Sequence, residues 1–328
     1  MKILFTLDYE LFLGARTGTV AKCLIEPMQH LIEATKDYGV KFTVFVDAVY
    51  LLKLKEYSSQ YPSLSKDLCD IQSNLLCLKD GGHDIQLHIH PHWYFSKYNG
   101  SCWELDDDHY KLSDLSEEQA SDVFRKAKLY LDELVGVKTI AYRAGGFSAQ
   151  PTSLLTKCFG ENELLIDSSV YPGNYYNSTH QAYDYRNCPK KSIYRFDEDI
   201  CAESEFGRFV ELPLSTIMLS PIFYWKLVVT KLMKAARHKN FGDGASVKTT
   251  SDSIKERLLK KTSGFVTIDG YKCSYLTRAY NLKKDKEEIL CVIGHPKLAT
   301  PYSVKTLAKF CASISGDNPQ YITISELM

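Results

Sequence analysis

The feature that most constrains this chain is a recurrence of short apolar runs with helical patterns between them. The runs are Lys2–Leu7, Lys41–Val46, Asp84–His88, Thr139–Tyr142, Leu164–Asp167, Phe209–Leu212, Phe265–Ile268, Ile289–Ile293 and Tyr321–Ile324. Rich in Val, Ile, Leu and Phe and flanked by Gly, Asp or Pro, they read as strands of a parallel sheet covered by helices on both faces. Helical spacing falls at Val20–Tyr38, Ser65–Lys79, Ser116–Val135, Thr152–Phe159, Ser251–Lys261 and Ser303–Ser313. Ser116 with Gln119 three residues on predicts a capping box, and Gly136 predicts the stop of that helix. The alternation argues for an α/β fold, with a barrel and an open sheet both compatible. In barrels of this class chemistry collects at the C-terminal ends of strands, and the unusual residues of this chain fall there.

A length of 328 residues fits one large domain or two modest ones, and α/β barrels exceed 250 residues as single units. No Gly/Ser/Pro linker divides the sequence, so a single domain over 1–328 is expected, with insertions near 94–114, 174–205 and 212–250. Forty basic residues balance forty acidic ones, which removes the global positive charge of a dedicated nucleic-acid binder. No run of eighteen or more mainly apolar residues predicts a membrane span. The first apolar run meets Asp8 too early to serve as a signal peptide. The ten cysteines show no C-x-x-C pair and read as free thiols in a reducing compartment. A cytoplasmic protein is expected.

Four of the nine histidines lie within ten residues, as His83, His88, His90 and His92. Along an extended segment His88, His90 and His92 point to one side. Converging neutral imidazoles are readily satisfied by a divalent ion of the zinc, cobalt or nickel type; solvated histidines at a strand end are the plainer alternative. Asp8 and Glu10 share a side of the first strand with Tyr9 opposed, which allows one carboxylate to ligate a metal and the other to act as base. An ordinary turn with a capping Asp is the competing reading. Arg143-Ala144-Gly145-Gly146 follows an apolar strand, where glycines permit close backbone approach and an Arg can grip a carboxylate. Asp167 and His295 each end a further apolar strand.

Taken in order, these segments resemble the polysaccharide deacetylases, the NodB-homology group of carbohydrate esterase family 4, and within it the branch associated with surface-polysaccharide biosynthesis. The resemblance runs over roughly residues 1–300. Thr6-Leu7-Asp8-Tyr9-Glu10 resembles the acidic first motif, and Gly82-His83-Asp84-Ile85 through His88 and His92 the H-x-x-x-H second motif. Phe42-Thr43-Val44-Phe45-Val46 is similar to an intervening strand of the family. Arg143-Ala144-Gly145-Gly146 resembles R-x-P-x-G, Asp167-Ser168-Ser169 the Asp-centred fourth motif, and Ile289 to His295 the strand ending in His. Three departures stand out: Asp8-Tyr9-Glu10 lacks the adjacent acid pair, Ile89 replaces Ser or Thr, and Gly145 replaces Pro.

The resemblance implies a distorted (β/α) barrel of seven or eight strands with irregular insertions. It implies metal-dependent removal of an N-acetyl group from a sugar, with zinc as the expected ion and cobalt or nickel as alternatives. Glu10, His88 and His92 are then the metal ligands, Asp8 the base and His295 the general acid. Arg143 orients Asp8, Asp167 tunes His295, and the Gly146 backbone N–H assists the oxyanion. Asp8 and Glu10 can exchange roles. Trp93 is a candidate for stacking on sugar, with local packing as the preferred alternative, and His90 for lining the site, with a structural role preferred for His90.

The expected substrate is a nucleotide- or lipid-linked precursor of a surface polysaccharide. The segment 212–242 carries no acid and five basic residues. The preferred reading is a barrel helix with its apolar side buried; the alternative is a peripheral contact through 221–239 with the inner face of a membrane. Two other functions stay open: hydrolysis of a non-sugar C–N bond on the same fold, and a catalytically inactive carbohydrate-binding protein.

Overall fold

The computed structural model describes residues 1–246 and 251–327, the side chains of 251–254 excepted. The last residues of the expected insertion 212–250 therefore lie outside the described residues. Two compact units form, one from Met1–Lys41 with Ser215–Ile322, the other from Phe42–Leu214 with Thr323–Met328.

In the first unit the strand Lys2–Tyr9 runs parallel to Ile289–Gly294 and, at its start, to Gln320–Tyr321. Ile3, Leu4, Phe5 and Leu7 are all buried, as the unbroken apolar run requires of a strand covered on both faces. Phe5 packs edge-on against Phe310 of the helix Pro301–Ile314 and stacks on Tyr321. Thr300 and Ser303 cap that helix reciprocally, each hydroxyl accepting from the other's backbone N–H at 3.0 and 2.9 Å. The expected strand Phe265–Ile268 divides. Thr262–Phe265 pairs antiparallel with Thr216–Leu219, and Thr267 then makes a lone parallel bridge to Ile293. The expected last strand stops at Tyr321, because Thr323 turns to bond the Glu326 carboxylate.

In the second unit the strands Phe42–Asp47, Asp84–Ile89, Ala141–Ala144, Ile166–Asp167 and Phe209–Glu211 pair in parallel in that order. Tyr194–Phe196 adds antiparallel at the edge. The helices Pro62–Asp80, Glu117–Val135 and Thr152–Glu161 fall where periodicity put them. Ser116 caps through Gln119, and Gly136 ends the helix at φ 68°, a left-handed position where glycine carries no Cβ penalty. The helix Ala48–Ser58 was not foreseen, because it follows its strand with no Gly or Pro to mark the change. The insertion near 94–114 contains the short hairpin Lys97–Tyr98 with Trp103–Glu104. That near 174–205 contains Tyr175–Asn177 paired with Ala182–Asp184. Among the described residues no helix is long and apolar enough to cross a membrane.

Candidate active site

In the first unit, register places the chemistry. Leu7 pairs with Gly294, so Asp8, Glu10 and His295 leave two adjacent parallel strands at the same end. The Thr267–Ile293 bridge brings Asp269 alongside. Asp8, Glu10 and Asp269 are buried, a costly state for carboxylates unless they are compensated. The Asp269 carboxylate accepts twice from His295, from its backbone N–H at 2.8 Å and from Nδ1–H at 2.9 Å. The imidazole is thereby fixed with Nε2 turned to Asp8 Oδ2 at 3.7 Å and Glu10 Oε1 at 3.8 Å. Burial alone would depress the His295 pKa, but the Asp269 carboxylate, with Asp8 and Glu10, outweighs it and holds the ring above the ordinary imidazole value. The Asp269 pKa is lowered in turn, the attraction and hydrogen bonds of His295 overcoming desolvation. Lys297, also buried, donates from Nζ to Glu10 Oε1 at 2.9 Å and to the Leu11 carbonyl at 2.6 Å. It supplies Glu10 with a counter-charge.

In the second unit the strand ends again come into line. Asp47 pairs with His88, and His88 with Arg143; on the next strands Tyr142 pairs with Asp167, and Asp167 with Glu211. His88 Nδ1–H donates to the Arg143 carbonyl at 2.7 Å, which sets the tautomer of the ring. His90 follows with its ring centroid 4.8 Å from that of His88, and the two offer ligand nitrogens within 4.8 Å of each other. Arg143 is fully buried; its guanidinium donates to the Ser168 carbonyl and hydroxyl at 2.8 and 2.9 Å and lies over Phe45. Burial raises the Asp167 pKa against hydrogen bonds from Glu211 and Ser169. Gly145 leaves room that matters: a Cβ there would fall 2.5 Å from His90 Nδ1.

Comparison with known proteins found no matching family model and no matching curated protein. Solved structures do match. A putative polysaccharide deacetylase from Mycobacterium smegmatis superposes over 99% of this chain and 88% of its own, with TM-score 0.54 and 16% identity. A probable polysaccharide deacetylase from Pseudomonas aeruginosa PAO1 superposes over the same shares, with TM-score 0.51 and 12% identity. The fold is that of the polysaccharide deacetylases. A structure described as Puue allantoinase also matches, at TM-score 0.51 and 13% identity over 99% and 88% of the two chains. The polysaccharide-deacetylase fold thus leaves the substrate to be argued from residues.

On this fold several expectations change. The partner of His295 is Asp269, in the role expected of Asp167, because the bridge after Phe265 delivers Asp269 to the ring. Asp167 instead accepts from the Ser169 N–H and hydroxyl. The imidazole paired with His88 is His90 in place of His92. The strand ends at Ile89 and the chain turns through Pro91 into His92–Phe95, so the one-sided projection of all three rings does not continue. The His92 ring stacks on Tyr110 at 4.5 Å. Trp93 cannot stack on a sugar: it is fully buried among Tyr50, Trp103 and His92. Gly146 sits at φ 58° in a turn with its carbonyl accepting from Gln181 Nε2 at 2.6 Å. Asp47, Glu211, Asp269 and Lys297 were not singled out. Asp47 and Asp269 carried the signal used for Asp8, an acid ending an apolar run. Lys297, two residues past His295, carried none.

Proposed function

We propose that this chain is a metal-dependent hydrolase that removes an N-acetyl group from a sugar, acting on a nucleotide- or lipid-linked precursor of a surface polysaccharide. The observation that carries the reading is the preparation of His88. Its Nδ1–H is tied to a carbonyl and a second imidazole stands beside it, as metal-ligating histidines are arranged. The ion would be held by His88 and His90, whose ligand nitrogens stand together, with Glu10 in the carboxylate-ligand role that the resemblance implies. When bound, it supplies Lewis-acid polarisation of the acetyl carbonyl and an acidified water. Asp8 would serve as base toward the attacking water, and Arg143 keeps the orienting role that the resemblance implies. His295, oriented by its hydrogen bond to Asp269, donates through Nε2 to the departing amine. The Gly146 N–H assists the oxyanion.

The carrier is supported by a cleft of about 700 Å³ in the first unit, lined by Leu227, Lys231, Lys234, Lys239, Asp269 and Tyr271. Its lysines suit the phosphates of a nucleotide or lipid carrier beside the general-acid pair. The helix Pro221–Leu232 buries Phe223 and Tyr224 but exposes Ile222, Trp225, Val229 and Leu232 between 51% and 74%. Burial of its apolar side, the preferred expectation, therefore does not hold for those four. An apolar stripe edged by Lys226, Lys231 and Lys234 suits an anionic membrane surface. A second reading, hydrolysis of a non-sugar C–N bond on the same fold, is supported by the likeness to a structure described as Puue allantoinase.

The test is metal content by mass spectrometry for wild type, His88→Ala, His90→Ala and His92→Ala, followed by amine release from nucleotide-linked N-acetyl sugars. Near one equivalent of zinc, lost with His88 or His90, and amine release together support the reading. No metal after reconstitution with zinc, cobalt or nickel would overturn it. Metal binding with hydrolysis only of cyclic amides would favour the second reading.

A further inference from the structure

The insertion after Asn174 carries two thiols that the proposed hydrolysis does not use. Cys188 and Cys201, thirteen residues apart, place their Sγ atoms 2.7 Å from each other, and both are free cysteines. Cys188 is buried and Cys201 half-buried. Cys201 Sγ donates to the Asp184 carbonyl at 3.5 Å and accepts from Gln150 Nε2 at 3.8 Å.

Their surroundings tie the pair to the turn after Arg143. Asp184 N–H donates to Gln150 Oε1 at 2.8 Å, and the Tyr185 hydroxyl to the Phe147 carbonyl at 2.7 Å. Ala182 N–H reaches the Ser148 hydroxyl, and Gln181 the Gly146 carbonyl. The hairpin Tyr175–Asp184 and the residues after it thus brace a turn in which Gly146 and Phe147 stand at φ 58° and 60°. For Phe147 that left-handed conformation is unfavourable unless the surroundings impose it.

We propose that Cys188 and Cys201 form a reversible disulfide that fastens this hairpin and, through it, the Gly146–Phe147 turn. The oxidant is a low-molecular-weight disulfide. The more accessible Cys201 thiolate attacks one of its sulfurs, forming a mixed disulfide and releasing one thiolate. Cys188, deprotonated in turn, attacks Cys201 Sγ, forms the internal bond and expels the second thiolate. Two cysteine thiols are oxidised, one small disulfide is reduced to two thiols, and the protons pass to them. The inference does not depend on the hydrolase reading.

The experiment equilibrates the full chain against glutathione buffers from fully reduced to fully oxidised. Free thiols are then alkylated in denaturant and the peptides mapped. We expect a peptide linking Cys188 to Cys201, lighter by two hydrogens than the pair of thiols, to appear with oxidation and vanish with dithiothreitol. Oxidation should raise Tm by about 5 °C and slow amide exchange across 145–150, neither occurring in Cys188→Ser or Cys201→Ser. Full alkylation of both cysteines at every glutathione ratio, or glutathione adducts in place of the internal link, would overturn the proposal.

Discussion

Replacing Asp269 by Asn tests the acid–base pair most directly, because the change is nearly isosteric and the carboxylate has two separate duties. One oxygen accepts from the His295 backbone N–H and the other from Nδ1–H, at 2.8 and 2.9 Å. An Asn offers one oxygen and an NH₂ group, so one of these donors must face another donor or the ring must change tautomer. A buried hydrogen bond to a charged group contributes about 1.5–3 kcal/mol, and one pKa unit corresponds to about 1.36 kcal/mol. The His295 pKa should therefore fall by about 1–2 units in Asp269→Asn. The signs define a stability window. His295 is raised, so its contribution is complete below the ordinary imidazole value of 6.5 and is lost as pH rises through the folded value. Asp269 is lowered, so its contribution is complete above 3.8 and is lost as pH falls through the folded value. The variant should lose most stability, about 2 kcal/mol, between those ordinary values. The assay is an NMR titration of the His295 Cε1–H signal, with urea melts across the same pH range. An unchanged or higher His295 pKa in the variant would refute the reasoning.

Other changes test neighbouring parts. Lys297→Met removes the buried cation beside Glu10 while keeping chain length; urea unfolding at pH 7 should show a loss of about 3–5 kcal/mol, and a loss below about 1 kcal/mol would mean that water or another group replaces the lysine. Gly145→Ala drives a Cβ toward His90 Nδ1, so it should cost about 1–3 kcal/mol and weaken cobalt binding followed by absorbance. Unaltered cobalt affinity would count against His90 as a ligand. Lys226→Glu with Lys231→Glu and Lys234→Glu should abolish co-sedimentation with vesicles containing phosphatidylserine while leaving the melting curve in place; wild type that ignores such vesicles would remove the membrane contact.

Much of this was legible because the parallel strands are buried on both faces. Continuous apolar runs marked Lys2–Tyr9, Phe42–Asp47 and Ile289–Gly294 within a residue or two, and polar residues at their ends marked Asp8, His88, Arg143 and His295. What escaped depended on contacts distant in sequence. Asp269 meets His295 only because Thr267 bridges Ile293, which no local pattern encodes. His90 displaced His92 because the period-two projection ends with the strand at Ile89, and one Pro is an imprecise marker of where that happens. Trp93 looked like a loop aromatic available to sugar, but Tyr50 and Trp103, 43 residues before it and ten after, close over it. A single chain shows which residues are aromatic and not which of them meet.

The room left by Gly145 has a consequence for how this sequence can change. A Cβ at 145 would stand 2.5 Å from His90 Nδ1 and 2.8 Å from the Ile89 carbonyl oxygen. A larger residue there, the proline of the resembled motif included, would have to displace both the His90 ring and the Ile89 carbonyl behind it. Positions 90 and 145 therefore share one volume, and a residue larger than glycine at 145 is tolerated only at the cost of displacing the imidazole.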